Sequence, residues 1–258
     1  MLNNIFDSHA HYDDDRFEVD RHEVLGSLAD KGVGYVCNAA CDLSSARAGI
    51  ALADRYDFVY CSAGVHPHEA EAAPDDLEGQ LTALARHPKV RAIGEIGLDY
   101  HYDFSPRPKQ REVFERQLRL SLELELPVII HDREAHGDTM ALLKQYKPKG
   151  IVHCYSGSAE MAAEILRLGM YIGFTGAVTF KNARKILESV AAVPLNRLLV
   201  ETDCPYMAPE PYRGKRCDSA MIAHTAAAIA SVKGIEPQAL LDITCENACR
   251  VYGIGQIR

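Results

Sequence analysis

The chain has 258 residues, 47% of them hydrophobic, enough to bury one large core or two modest ones. Its formal charge of −8, from 28 basic and 36 acidic residues, argues against a protein that coats duplex nucleic acid without regard to sequence, which needs an excess of Lys and Arg. A nuclease stays open, because its potential is local and bound cations can set it. No apolar run approaches the ~20 residues of a membrane span. The opening MLNNIFDSHAHYDDD has neither a basic n-region nor an apolar h-region, so the expectation is a soluble cytoplasmic protein without a signal peptide. The eight cysteines (Cys37, Cys41, Cys61, Cys154, Cys204, Cys217, Cys245 and Cys249) then read as buried or free thiols rather than a disulfide framework.

In chain order, short β-rich apolar runs alternate with helix-like segments. The runs are NIFDSH (4–9), VGYVCNA (33–39), FVYCSAG (58–64), RAIGEIG (91–97), PVIIH (127–131), GIVHC (150–154), MYIGF (170–174) and LLVETD (198–203). Segments rich in Ala, Leu, Glu, Arg and Lys separate them, which implies right-handed βαβ units and a parallel sheet. Eight such units match an α/β fold of the (β/α)8 TIM-barrel type better than a doubly wound sheet, and no Gly-rich phosphate loop follows the first strand. LRLSLELELP alternates like a strand, but its residues are good helix formers and PVIIH follows at once. It therefore reads as the end of a long helix starting near Pro108. After the Pro-rich loop 204–216, helices are expected over roughly 218–233 and 236–252. No interdomain linker stands out, so a single domain over residues 1–258 is expected.

Chemistry in such a fold gathers where strands end. The first run ends with His9 and His11, the third leads into GVHPH with His66 and His68, and the fourth carries Glu95. His131, His153 and Asp203 end the fifth, sixth and eighth. Taken singly, each histidine is more simply a hydrogen-bonded structural residue. Together, at equivalent positions, they are poorly explained by packing, because buried ionisable groups seldom gather without pairing or a metal. Imidazole with carboxylate suits Zn or Mn, with Mg possible where carboxylates and water dominate. His9, His11, Glu95, His131, His153 and Asp203 exceed what one open catalytic ion needs, whereas two divalent metal ions about 3.5–4 Å apart would use all six. Two dications outweigh the two carboxylates, so the local site suits an anionic ester such as a phosphodiester. Glu201, two residues before Asp203, either orients ligands or is a buried structural carboxylate.

These stretches closely resemble the TatD family of metal-dependent hydrolases. The matching segments are DSHAHYD (7–13), GVHPHEA (64–70), AIGEIGLDY (92–100), QREVFERQLRLSLELELPVIIHDREA (110–135), HCYSGS (153–158) and ETDCPYMAPEPYRGKR (201–216). The resemblance implies a distorted TIM barrel, a two-metal centre and deoxyribonuclease activity directed at the 3′ ends of single-stranded or processed DNA. It places one ion with His9, His11 and Asp203 and another with His131 and His153, with Glu95 bridging or shared, and it sets His66 and Arg133 near the substrate phosphate. Asp203 and Glu95 are then the candidate catalytic carboxylates, Asp203 as the acceptor of the water's proton. The sequence departs from the family pattern twice. Tyr12 stands where the family usually has Leu, and RGKR is followed by Cys217, Asp218 and Ser219 where the family usually has Asn-Glu-Pro.

Two competing functions remain at this level. One is an amidohydrolase or lactonase acting on a small cyclic amide or ester with the same metals, since one fold hosts many hydrolyses. The other is a non-enzymatic nucleic-acid-binding module, against which all six ligand positions being filled is the argument. Arg213, Lys215 and Arg216 could fix phosphates or simply be a solvated loop, and Tyr155 and Tyr206 could stack on bases or pack.

Overall fold

The computed structural model describes residues 2–255. The strands form one eight-stranded parallel sheet in chain order. They are β1 (Ile5–Ala10), β2 (Val33–Asn38), β3 (Val59–Ala63), β4 (Val90–Asp99), β5 (Val128–Arg133), β6 (Gly150–Val152), β7 (Tyr171–Phe174) and β8 (Leu198–Val200). The helices among the described residues are α1 (Arg21–Ser27), α2 (Leu43–Arg55), α3 (Leu77–Ala85), α4 (Arg107–Glu123), α5 (His136–Tyr146), α6 (Ala159–Arg167), α7 (Arg184–Ala192), α8 (Ile222–Lys233) and α9 (Pro237–Tyr252). None of them is long and apolar enough to cross a membrane.

Every expected strand is present, but β6 and β8 stop early, at Val152 and Val200 rather than at 154 and 203. The cause is local: Cys154 (φ 43°) and Asp203 (φ 60°) take left-handed backbone, which an extended strand does not accommodate. LRLSLELELP falls as expected, with α4 running to Glu123 and left-handed Glu125 (φ 56°) ending it before Pro127.

The chain divides into two compact units. The first holds the residues up to Asn38, Cys154–Arg167 and the chain from Tyr171 onward. In it β1 pairs with β2 and β7 with β8, and α9 packs on β1 and β8. Phe6 lies between the rings of Tyr35 and Tyr252, with centroids at 5.1 and 5.8 Å. The Tyr252 hydroxyl donates to the Ser8 carbonyl at 2.7 Å, so this buried aromatic stack is also tied to the β1 backbone. Past the end of β8, Asp203 N–H donates to His9 O (2.9 Å) and His11 N–H to Cys204 O (2.7 Å), carrying strand-like pairing to the two histidines.

The second unit, Ala39–His153 with Leu168–Met170, contains β3 to β6. Its sheet interior is apolar, with Ile93, Ile96, Leu98, Val128, Ile129 and Ile130 fully buried. The register of β4 on β5 shifts between Ile93 and Ile96, so Gly94 and Glu95 leave the ladder. Their backbone is satisfied elsewhere: Glu95 N–H donates to Ala40 O at 2.7 Å, and Gly94 O accepts from Ser62 Oγ. A shift of this kind re-aims a side chain, here Glu95. Two helix positions brace the loops of this unit. Gln117 bonds both the N–H (2.7 Å) and the carbonyl (3.0 Å) of Val65, and Gln110 does the same for Asp99 at 2.9 and 3.0 Å.

Gly97, two residues after Glu95, has φ +149°, and a Cβ there would run into the His131 carbonyl oxygen. Gly97→Ala is expected to lower unfolding free energy by about 2 kcal/mol, combining an unfavourable backbone with displacement of β5. A urea titration in which its midpoint equals that of the parent chain would contradict this.

Candidate metal centre

The first unit brings three predicted residues together. His9 Nε2 and His11 Nε2 are 3.0 Å apart, and Asp203 Oδ1 lies 3.6 Å from the first and 3.3 Å from the second. Parity explains the histidine pair, since residues i and i+2 of a strand share a face. The left-handed Asp203 backbone, held by the His9 carbonyl, turns the carboxylate back to the same point.

Around this triad the backbone is fixed by buried carboxylates. Asp7 accepts from Thr202 N–H (2.9 Å), Thr202 Oγ1 (2.6 Å) and Ser219 Oγ (2.7 Å). Burial pushes its carboxyl up to about 6, with these bonds pulling the other way. Glu201, whose role the sequence left open, accepts from Ser8 Oγ (3.1 Å) and from the Cys154 N–H. Gly173 makes room for it, because a Cβ there would collide with the Glu201 carboxylate. Cys204, directly after Asp203, is buried.

The two departures from the family pattern meet in this unit. The Tyr12 hydroxyl is 2.7 Å from Ser219 Oγ and accepts the Ser219 N–H at 2.9 Å; both residues are buried. Leu at 12 would offer no such acceptor. Proline at 219, the first position of the short helical turn Ser219–Met221, would have no N–H to satisfy. The tyrosine and the serine are thus complementary, the hydroxyl of one satisfying the backbone N–H of the other.

In the second unit three imidazoles converge on one oxygen. Glu95 Oε1 lies 2.7 Å from His153 Nε2, 2.9 Å from His131 Nδ1 and 3.5 Å from His66 Nε2. His131 Nδ1 and His153 Nε2 are 3.4 Å apart. The other face of the His131 ring meets a residue that the sequence reading missed: Asp99 Oδ2 lies 3.1 Å from His131 Nε2 and 2.9 Å from His68 Nε2. A signal was available, because Asp99 ends the GEIGLDY strand with the same parity as Glu95. Burial pushes the Asp99 carboxyl up, but bonds from His131, the Tyr102 N–H and His68 outweigh it and hold the group well below the usual carboxylate range. His131 is the converse case: burial lowers it, but Asp99 and Glu95 together raise it to about 9. Burial dominates at His66, which falls to about 4 and is neutral at pH 7.

Both clusters have the donor chemistry and spacing of a cation site. An ion bonded at about 2.1 Å sets neighbouring donors roughly 3.0 to 3.4 Å apart. The first triad spans 3.0 to 3.6 Å and the Glu95–His131–His153 set spans 2.7 to 3.4 Å. His131, turning Nδ1 to this set and Nε2 to Asp99, has the carboxylate–histidine arrangement that fixes ring orientation in metal sites.

Not every candidate lies in a cluster. Arg133 ends β5 exposed, its guanidinium 4.5 Å from the centre of the Tyr102 ring. Arg216 is committed to Asp20 (2.6 Å) and to the Arg16 carbonyl, and Arg213 sits on the Phe180 ring. Tyr155 is buried against Phe174 and so offers no stacking face, whereas Tyr206 is bonded to Asp14 under Arg16.

An imidazole–carboxylate donor set at the ends of strands in an eight-unit α/β sheet defines the class of metal-dependent hydrolases built on a TIM barrel. The model of the TatD related DNase family matches residues 6–253, and the chain belongs to that family. It is 39% identical to the uncharacterized metal-dependent hydrolase YabD of Bacillus subtilis, covering 97% of this chain and 100% of that one. It is 34% identical to a protein of Citrobacter koseri named 3′-5′ ssDNA/RNA exonuclease TatD, over 97% of this chain and 100% of that one. Among solved structures, the TatD homologue YjjV of Escherichia coli superposes with a TM-score of 0.93 at 30% identity, over 99% of this chain and 100% of that one.

Two outcomes follow from this geometry. Asp99→Asn, which keeps the shape but removes the charge facing His131, is expected to weaken Zn²⁺ binding about 10- to 100-fold by calorimetric titration; unchanged affinity would remove Asp99 from the site. Tyr12→Leu and Ser219→Pro are each expected to destabilise by about 1–3 kcal/mol. Together they should cost at least about 1 kcal/mol less than their sum, and strict additivity in a double-mutant cycle would show that the pair does not act as a unit.

Proposed function

We propose that this metal-dependent hydrolase is a 3′-5′ exonuclease that cleaves phosphodiester bonds at the ends of single-stranded DNA, with two divalent ions. His9, His11 and Asp203 hold one ion; His131, His153 and Glu95 hold the other. The observation that carries the reading is the convergence of imidazole nitrogens on Glu95 Oε1 at 2.7–3.5 Å in the second unit, together with a His-His-Asp set of matching spacing in the first. A relative sharing 34% identity over nearly the whole chain bears a 3′-5′ ssDNA/RNA exonuclease name, which supports the choice of substrate.

Ions in such sites polarise a phosphoryl oxygen and lower the pKa of water. The chain's own groups divide the remaining work. Of the two carboxylates, Asp203 is the accessible one, with its side chain 18% exposed against 3% for Glu95, so Asp203 takes the proton of the attacking water. Glu95, with three imidazole nitrogens within 3.5 Å of one oxygen, fixes their positions. His66, neutral at pH 7, offers one N–H to a phosphate oxygen, and the Arg133 guanidinium offers a two-pronged contact.

The test is purified protein with end-labelled single-stranded DNA across Mg²⁺, Mn²⁺ and Zn²⁺, with products sized, and with cyclic amides and lactones as parallel substrates. Shortening from the 3′ end is expected. His131→Ala and Glu95→Ala are expected to lose bound metal and at least about 10²-fold in rate. Metal content and rate preserved in both variants, or turnover confined to the small cyclic substrates, would discard the proposal.

A further inference from the structure

Beside the Glu95 cluster, the loop after β4 holds two large aromatic rings out in solvent: Tyr102 is 46% exposed and Phe104 64%. Single exposed aromatics are ordinary, but these are paired, their rings stacked at 5.1 Å with planes 18° apart. Arg133 lies on the Tyr102 ring at 4.5 Å and makes no ion pair to any described residue. The edge of His68 meets Phe104 at 4.8 Å and Tyr102 at 5.5 Å.

The loop that carries the rings is braced. Asp99 Oδ1 accepts the N–H groups of His101 (3.0 Å) and Tyr102 (2.9 Å). Ser105 Oγ donates to the His68 carbonyl (2.8 Å), and Gln110 holds the Ser105 carbonyl (2.8 Å). The other oxygen of Asp99 faces both His68 and His131, so a single carboxylate sets the aromatic pair and a proposed metal ligand in one frame. Flat rings held rigidly, one largely uncovered, next to a cation with no carboxylate partner, suit a flat aromatic ligand that carries an anion. A nucleobase with its adjoining phosphate has that chemistry, and base–aromatic stacking is indifferent to sequence.

We propose that Phe104, Tyr102 and Arg133 form a shelf that takes the terminal base of a single-stranded nucleic acid, the base lying on Phe104 and the guanidinium edge holding the adjoining phosphate. The inference rests on the nucleic-acid reading given above and adds to it the residues that receive the strand end.

The experiment measures fluorescence anisotropy of a 5′-labelled, phosphorothioate-linked oligodeoxynucleotide, resistant to cleavage, with the full chain in Mg²⁺. Phe104→Ala is expected to raise Kd roughly tenfold and Phe104→Trp to leave binding as tight or tighter, while thermal unfolding of each variant checks the fold. The gap between parent and Phe104→Ala is expected to close on an oligonucleotide whose last two 3′ residues lack bases. Equal binding by parent and Phe104→Ala, an equal loss on the base-free end, or no binding by the parent would overturn the shelf. Turnover of an unmodified strand is scored separately. Binding that depends on Phe104 without turnover keeps the shelf and removes the nuclease; turnover indifferent to Phe104 does the reverse.

Discussion

A carboxylate buried to 3% exposure has to be answered by positive charge or donated hydrogens, and in this chain Glu95 is answered by three imidazole nitrogens on one oxygen. Much of the second unit can be read as the means to that end. The register break in β4 turns the side chain out of the ladder, glycine at 97 lets β5 come close, and Asp99 orients the back of the His131 ring. The same low-dielectric setting makes each of these contacts matter more than it would in water, because an unanswered charge has nowhere to go.

The first unit solves a different problem with the same materials. There His11 and Asp203 lie beyond the regular strand ends, and backbone geometry that no ladder enforces is held by buried side chains instead. Asp7 gathers Thr202 and Ser219, and Glu201 gathers Ser8 and the Cys154 amide. Tyr12 and Ser219, 207 apart in sequence, add a hydroxyl-to-backbone contact to this scaffolding.

The sequence made the strands, α4, α9 and the ligand candidates legible for plain reasons. Strand runs are dense in β-branched residues, and histidines at their ends stand out against apolar neighbours. Less legible was whatever depends on irregular backbone. Asp99 shares parity with Glu95 but lies beyond the run RAIGEIG, and its partners His68 and His131 come from the turn after β3 and from β5. The early ends of β6 and β8 follow from left-handed residues, Cys154 and Asp203, of types that do not announce that conformation. Arg133 was assigned to phosphate from its motif alone; its place on Tyr102 depends on a loop whose path no local pattern fixes.

Gln110 and Gln117 carry a consequence for how this chain can vary in length. Seven residues amount to nearly two full helical turns, so both amides leave α4 on one side, one hooked to Asp99 and the other to Val65 just ahead of His66. A residue inserted between them would swing one hook about 100° around the axis and release its loop. The helix is therefore a ruler of fixed gauge between two anchor points, and homologous chains that lengthen should do so outside that interval.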